Sequence, residues 1–383
     1  MPVPLTLITD SLNPRRGGAE LYLAELARRA VALGHPLRIY TRRLDGVPAL
    51  PEVPRLPLPP AWRRGVPALG GPVLATLALP GVTHYQPHSG LLRDGFAAER
   101  ESFGPGLRRW AYPLGNFFNS GRRRRVAEQE RLLGGPAPPW VMTFSQGMRR
   151  HLLGRFGLAP ERVRCAPLGV DLELFLPGRG PALEPIPDLA PPPPAGRLVL
   201  LFSAHNFRLK GLYDLFEALA QALAQGLDAE LLVAGAGNRG EARRQAVRCG
   251  VAGRVRLLGA LARSDMGRLY RACDLLVHPS YSDHSSLAVL EALASGRPVI
   301  TSARDGAAEW LQQGVQGWIL ARPGDPAALA AALLTLGNRA QLAAMGEAAS
   351  RLRPRLDFQV HLDQVLDWLA SPQPAQRDDG GDG

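Results

Sequence analysis

Lysine is almost missing from this chain: of its 45 basic residues, all but Lys210 are arginine. A single lysine kept against that bias suggests a position that needs a compact ammonium rather than a planar fork. Cysteine is scarce as well. Cys165, Cys249 and Cys273 lie far apart without paired spacing, which excludes a disulfide framework and a cysteine zinc site and suggests a reduced compartment. No apolar run reads as a bilayer span. The charge-free stretch 65–82 is interrupted by Gly and Pro and reads as a loop entering a strand. The first residues lack the basic start and apolar centre of a secretion signal, so none is expected. No His, Asp or Cys cluster has metal-ligand spacing, and no metal is expected.

What is present fits two domains. The chain has 383 residues, 46% of them hydrophobic, enough for two full cores. The net charge of +11 is lopsided. Residues 1–180 hold 25 arginines against 13 acids, whereas the rest of the chain is close to neutral. An excess confined to one half suggests an anionic partner there, such as a membrane surface or a lipid-linked acceptor. No nucleic-acid motif accompanies it, and no nucleic-acid partner is expected.

The chain is organised around residues 274–300. An apolar strand (275–277) is broken by Pro279, Ser280, Ser282 and Asp283, and a helix then runs from Ser285 or Ser286 to about Ser295. Strand, loop, helix and strand in that order place the helix N-terminus at the carboxyl edge of a parallel sheet, where α/β folds bind ligands. The helix is apolar nearly all round except for Glu291. A carboxylate in that setting needs hydrogen-bond donors, and sugar hydroxyls qualify. Asp283 lies in the loop before the helix. The amides of Ser285, Ser286 and Leu287 suit a phosphate.

Other stretches have the same layout. Gly17 and Gly18 join a first strand to a first helix and let backbone approach a diphosphate. His84 and His88 follow a strand; His88 is the stronger candidate for hydrogen-bonding a sugar hydroxyl, and a solvent-facing loop histidine is the alternative. Arg208 and Lys210 follow the strand at 198–203, at the edge that carries the 279–286 loop if the strands are parallel. The run of four arginines at 122–125 either meets phosphates or forms a solvated face. The glycines at 235, 237 and 240 match G-x-G-x-x-G but lack the acid about 20 residues on that a dinucleotide site needs, so they read as a turn or a nucleotide-pocket wall.

Asp283, seven residues, Glu291, then Ala292, Ala294, Gly296, Pro298 and Val299 resembles the signature of the family 4 retaining glycosyltransferases, which usually have Glu at the first acid position. The run Pro167, Gly169, Val170, Asp171 and Phe175 resembles their P-x-G-V-D-x-x-x-F, and Gly17, Gly18, Ala19 and Glu20 resemble their G-G-A-E. The stretch 91–133 is more loosely similar to the subgroup that glucosylates the lipopolysaccharide core.

The resemblance implies an α/β fold of the GT-B type: two Rossmann-like doubly wound domains facing across a cleft, with a last helix crossing back to the first domain. The divisions would be 1–180 on the acceptor side, a Pro-rich linker 181–196, a nucleotide-sugar domain 197–354, a crossover helix 355–370 and a tail 371–383. It implies transfer of a hexose, UDP-glucose-type favoured, to a cell-envelope glycan or lipopolysaccharide core. The donor is a co-substrate, and no cofactor or metal is implied. Gly17, Gly18, Arg208, Lys210, Asp283, Ser285, Ser286, Leu287 and Glu291 would bind the donor, with Glu291 on the ribose and Arg208 and Lys210 on the leaving diphosphate. His88, Asp283, Arg208 and Lys210 would serve the chemistry. The location would be cytoplasmic, with peripheral contact to the inner membrane face. A nucleotide-sugar 2-epimerase of the same fold and a non-catalytic sugar-nucleotide-binding subunit are the alternatives. A phosphorylase is disfavoured, because Lys210, the only lysine, already belongs to the K-G loop.

Overall fold

The computed structural model describes residues 2–13, 17–44, 50, 52–88, 90–104, 109, 112, 119–178, 194 and 196–371. Most of the expected linker 181–196, the tail beyond Ser371 and Ser89 fall outside them, as do Pro14, Arg15 and Arg16 of the first loop.

Two parallel sheets account for the architecture. The first holds seven strands: β1 (Leu5–Thr9), β2 (Leu37–Thr41), β3 (Arg55–Pro57), β4 (Val73–Ala75), β5 (His84–Tyr85), β6 (Trp140–Thr143) and β7 (Val163–Cys165), in the order 3-2-1-4-5-6-7. The second holds six: β8 (Leu198–Ser203), β9 (Ala229–Ala234), β10 (Val255–Gly259), β11 (Leu275–His278), β12 (Val299–Ser302) and β13 (Gly317–Leu320), in the order 10-9-8-11-12-13. Every pairing is parallel. The central strands β1 (LTLIT), β9 (AELLVA) and β11 (LLVH) are buried along their whole length, as strands covered by helices on both faces must be. The strand order reverses between β1 and β4 and again between β8 and β11. The loops at those two points carry the expected site residues.

Some local expectations shift. The strand expected over 73–79 stops at Ala75, and the stretch expected to be irregular (46–72) contributes the short edge strand β3. The Ala/Leu-rich stretch 326–350 is two helices, Pro326–Thr335 and Arg339–Ser350, because Asn338 caps a new start by accepting from the amides of Ala340 and Gln341.

The last helix, Phe358–Ala370, returns to the first sheet. It buries Phe358, Leu362, Val365, Leu366, Trp368 and Leu369, and Asp363 forms a bidentate pair with Arg29 of helix Gly18–Ala32 at 2.6 and 2.7 Å. Trp368 meets His84 edge-on at 4.6 Å, so His84 belongs to this packing. Among the described residues, no helix is long and apolar enough to cross a membrane.

Candidate active site between the two sheets

The first-sheet and second-sheet loops meet closely. A methyl group on Gly18 would stand 2.6 Å from Leu287 Cδ1, and one on Gly90 would stand 2.1 Å from His284 Nε2. Glu309 accepts from the amides of Gln146 (2.8 Å) and Gly147 (2.5 Å), so a carboxylate of one domain caps a helix of the other. Arg304 pairs with Glu101 across the same cleft. Gly18 therefore serves close approach between domains. Leu287, expected only as an amide donor, covers it with its side chain.

Lys210 lies at the centre of the second-domain half. Its ammonium donates to Asp283 Oδ2 at 2.5 Å and to the Ser282 carbonyl at 2.7 Å. Only 18% and 20% of the two charged side chains reach solvent. Burial alone would raise the Asp283 carboxyl, but the Lys210 charge and then His278 overcome it and hold Asp283 well below the usual carboxylate range. Next to it, burial and the Asp283 charge push Asp305 up. Asp305 Oδ1 accepts from the amides of Ser286 (3.1 Å) and Ala307 (2.9 Å), and Oδ2 accepts from Thr301 at 3.1 Å.

That arrangement corrects one expectation. The Ser286 amide is occupied by Asp305, and the Ser286 hydroxyl lies 3.2 Å from His278 Nε2, so Ser286 is not an open phosphate donor in this state. Among the described residues, no contact fills the amides of Ser285 and Leu287. The Ser285 hydroxyl is buried without a partner.

His278, Asp283 and Asp305 bring three potential ligand atoms within 4.8 Å of one another, a grouping not evident from their spacing in sequence. The residues fit a metal ion poorly. Asp305 has both oxygens committed to protein donors, and the Lys210 ammonium already occupies the cation position beside Asp283.

Arg208 is not poised beside Lys210. Its guanidinium pairs with Glu241 and is stacked between Phe103 of the first domain and Tyr213, 4.6 Å from each ring. Glu291 accepts from the Tyr270 hydroxyl at 2.9 Å through Oε2, and among the described residues no arginine pairs with it. Burial raises its carboxyl to about 7, with Arg263 and the Tyr270 bond lowering it in part.

In the first domain a cavity of about 230 Å³ opens at the carboxyl ends of β1, β4 and β5. This is below the roughly 300–1,000 Å³ of drug-sized pockets and suits a single ring with one substituent. Thr9, Thr76, Glu20, His88, Arg42 and Arg125 face it. Within the arginine run, Arg122 pairs with Glu99 and Arg124 with Glu128, whereas Arg125 turns to the cavity. Neither Arg42 nor Arg125 has a carboxylate partner within ion-pair distance among the described residues. Four consecutive residues of a helix cannot share one face, as the sequence already implies, and the structure adds that Arg125 is the one that meets the cavity.

Residues 16–174 match the family described as Glycosyltransferase Family 4, and residues 196–339 match Glycosyl transferases group 1. The chain is 30% identical over 371 residues to D-inositol 3-phosphate glycosyltransferase 2 of Catenulispora acidiphila, spanning 87% of this chain and 85% of that one. It is 26% identical over 365 residues to the phosphatidyl-myo-inositol mannosyltransferase of Mycobacterium leprae, spanning 91% and 92%. Its fold superposes on WaaG, a glycosyltransferase involved in lipopolysaccharide biosynthesis, with a TM-score of 0.71 at 22% identity over 97% of this chain and 100% of that one. It also superposes on Anabaena HepE in complex with UDP and glucose, with a TM-score of 0.69 at 19% identity over 96% and 100%.

Proposed function

The chain belongs to the family 4 glycosyltransferases, and we propose that it moves a hexose, with retention, from a UDP-glucose-type donor to a hydroxyl of a phosphate-bearing cell-envelope acceptor. One observation carries the donor half of this reading. The Lys210–Asp283 pair stands at the start of helix Leu287–Ala294, and Glu291 lies about one turn into that helix. As the bond between the sugar and the diphosphate breaks, negative charge grows on the leaving oxygens. The Lys210 ammonium can pass from Asp283 to those oxygens, so a fixed cation meets the charge without a metal. Asp283 is then released to accept a sugar hydroxyl. Glu291, whose Oε2 accepts from Tyr270, would accept from the ribose hydroxyls. A HepE structure with UDP and glucose supports the uridine choice.

The first-domain cavity supports the acceptor half. The named inositol relatives act on phosphate-bearing polyols, and a lipopolysaccharide core is also anionic. Arg42 and Arg125 provide the complementary charge. An epimerase would have no use for such a cavity. Arg125→Gln should raise the acceptor KM about tenfold, the value of one charge-assisted contact, whereas Arg124→Gln should change it little. Steady-state kinetics with D-inositol 3-phosphate and with phosphatidylinositol vesicles would show this and identify the acceptor source. Equal KM values in both variants would remove the anion argument.

Calorimetric titration with UDP, GDP and ADP tests the donor site. One diphosphate should bind, and Glu291→Ala should weaken it by about tenfold to a hundredfold, the worth of one or two hydrogen bonds to a charged group. Ionised Glu291 is the better acceptor for ribose hydroxyls. With its carboxyl near 7, wild-type affinity should therefore rise between pH 6 and 8 relative to Glu291→Gln. Folding stability should move the other way. The folded carboxyl is raised, so its contribution is complete below the unfolded value and is lost as pH rises through about 7. Failure of all three nucleotides to bind would leave the binding-subunit reading without a ligand and refute the transferase site.

A further inference from the structure

His88 borders the first-domain cavity, and its ring sits edge-on to Tyr22 (5.1 Å) and to Phe144 (5.5 Å). Burial, with His284 and His361 adding to it, holds the imidazole down at about 3, so it is neutral at ordinary pH. A neutral imidazole carries one proton on one of two nitrogens, and which one decides whether it donates or accepts toward a sugar. Nothing in the local sequence chooses between them.

Gln86 supplies that choice. It is fully buried, and its Oε1 lies 2.8 Å from His88 Nε2. Its amide nitrogen lies 3.0 Å from the Tyr22 hydroxyl and 3.2 Å from Met142 Sδ. Two acceptors on one side of the amide fix the NH2 there and turn the oxygen to His88. Tyr22 lies in turn 3.3 Å from His361 Nε2 on the last helix, and His361 is also held neutral by burial, down to about 4. The donors therefore run one way: His88 Nε2–H to Gln86, Gln86 to Tyr22, and Tyr22 to His361. Aligned in this way, each bond strengthens its neighbour.

We propose that Gln86 is a positioning residue that holds His88 in the Nε2–H form, so that the unprotonated Nδ1 is the nitrogen offered to a sugar hydroxyl in the cavity. The proposal deepens the transferase reading given above and rests on it for the identity of the ligand. No atom of Gln86 needs to touch substrate. It acts through the proton it places on the far side of the ring, and it couples that ring to the helix that crosses back from the second domain.

Long-range proton–nitrogen correlation spectra of the full chain labelled with 15N-histidine test the proposal directly. The wild type should show His88, assigned through His88→Gln, as a single Nε2–H tautomer. An Nδ1–H form, or an even mixture, would overturn the proposal without any variant. Gln86→Leu should yield mixed tautomers and lower turnover of the nucleotide sugar about tenfold, with the affinity for its nucleotide unchanged. Gln86→Glu, which keeps an acceptor oxygen, should restore most of that rate. In a His88→Ala background Gln86→Leu should have no further effect. An equal loss in both backgrounds would make Gln86 merely structural. If Gln86→Leu does not fold, Tyr22→Phe removes the acceptor that orients the amide and should also mix the tautomers; an unchanged spectrum counts against the relay. A wild type that shows the Nε2–H form yet binds no nucleotide would refute the transferase reading and leave this one standing.

Discussion

Lys210→Met should slow sugar transfer about a thousandfold, the upper range for losing one fixed group that stabilises transition-state charge. The same change should destabilise the fold. Asp283 would remain mostly buried beside Asp305 with its cation gone, and breaking a buried pair from one side costs about 3–5 kcal/mol when the pair is fully enclosed. One-fifth of each side chain reaches solvent, so roughly 2 kcal/mol is the better expectation here. The two effects can be separated. Adding Asp283→Asn to Lys210→Met removes the stranded charge, so stability should recover while the rate stays low. The pH dependence also reverses sign. In the wild type, Asp283 is held below its unfolded value, so its contribution is present at neutral pH and is lost as pH falls through the folded value. Without Lys210, burial dominates and the carboxyl rises. Stability should then increase as pH falls through the raised folded value and level off below the unfolded one. Single-turnover rates and denaturant unfolding at pH 5 and 7.5 would show both. A Lys210→Met enzyme within tenfold of the wild-type rate would remove the ammonium from the mechanism.

Gly169→Ala is expected to detach the last helix. The run Pro167 to Phe175 reads as a turn that redirects the chain, and its glycine invites a dihedral explanation. The structure supplies a different one. Gly169 is not in the left-handed region. A methyl there would meet the Asp357 carbonyl oxygen and the Phe358 Cα at 2.6 Å, both backbone atoms that cannot swing away. The next residue joins the two segments, because Val170 donates to the Leu356 carbonyl at 2.7 Å and accepts from the Phe358 amide at 3.2 Å. Forcing these segments apart would loosen helix Phe358–Ala370, whose apolar side chains would each lose about 1.5–3 kcal/mol of burial if fully released. Partial release should cost about 3–5 kcal/mol overall, with a fall in Tm of roughly 10 °C. Limited proteolysis should cut near residue 357 in the variant and not in the wild type. Identical melting and cleavage patterns would show that the backbone shifts at little cost.

Whereas the two-sheet architecture came from the family resemblance, most of the strands and the loops that carry the proposed donor residues were legible in the amino-acid sequence itself. Those features are local. Buried parallel strands are short apolar runs, helix starts have their caps, and Gly and Pro punctuate both. The acid pair Asp283 and Glu291 and the isolated Lys210 were legible for a related reason: a charge in an apolar stretch, or a residue kept against compositional bias, stands out without a fold.

Only the tertiary structure decided where the side chains point and which faces meet. It turns Arg208 to Glu241 and Phe103, fills the Ser286 amide with Asp305 from another loop, and selects Arg125 from four consecutive arginines by helical phase. It also makes Glu309 a cap for a helix of the other domain and places Gln86 behind His88. The contacts of Arg208, Ser286 and Glu309 join residues from different elements or different domains, and the Gln86–His88 contact, though local in sequence, depends on how Tyr22 and Met142 of other elements orient the Gln86 amide. Their energies depend on distances of a few ångströms set by how the two sheets pack, and no periodicity within one segment carries that information.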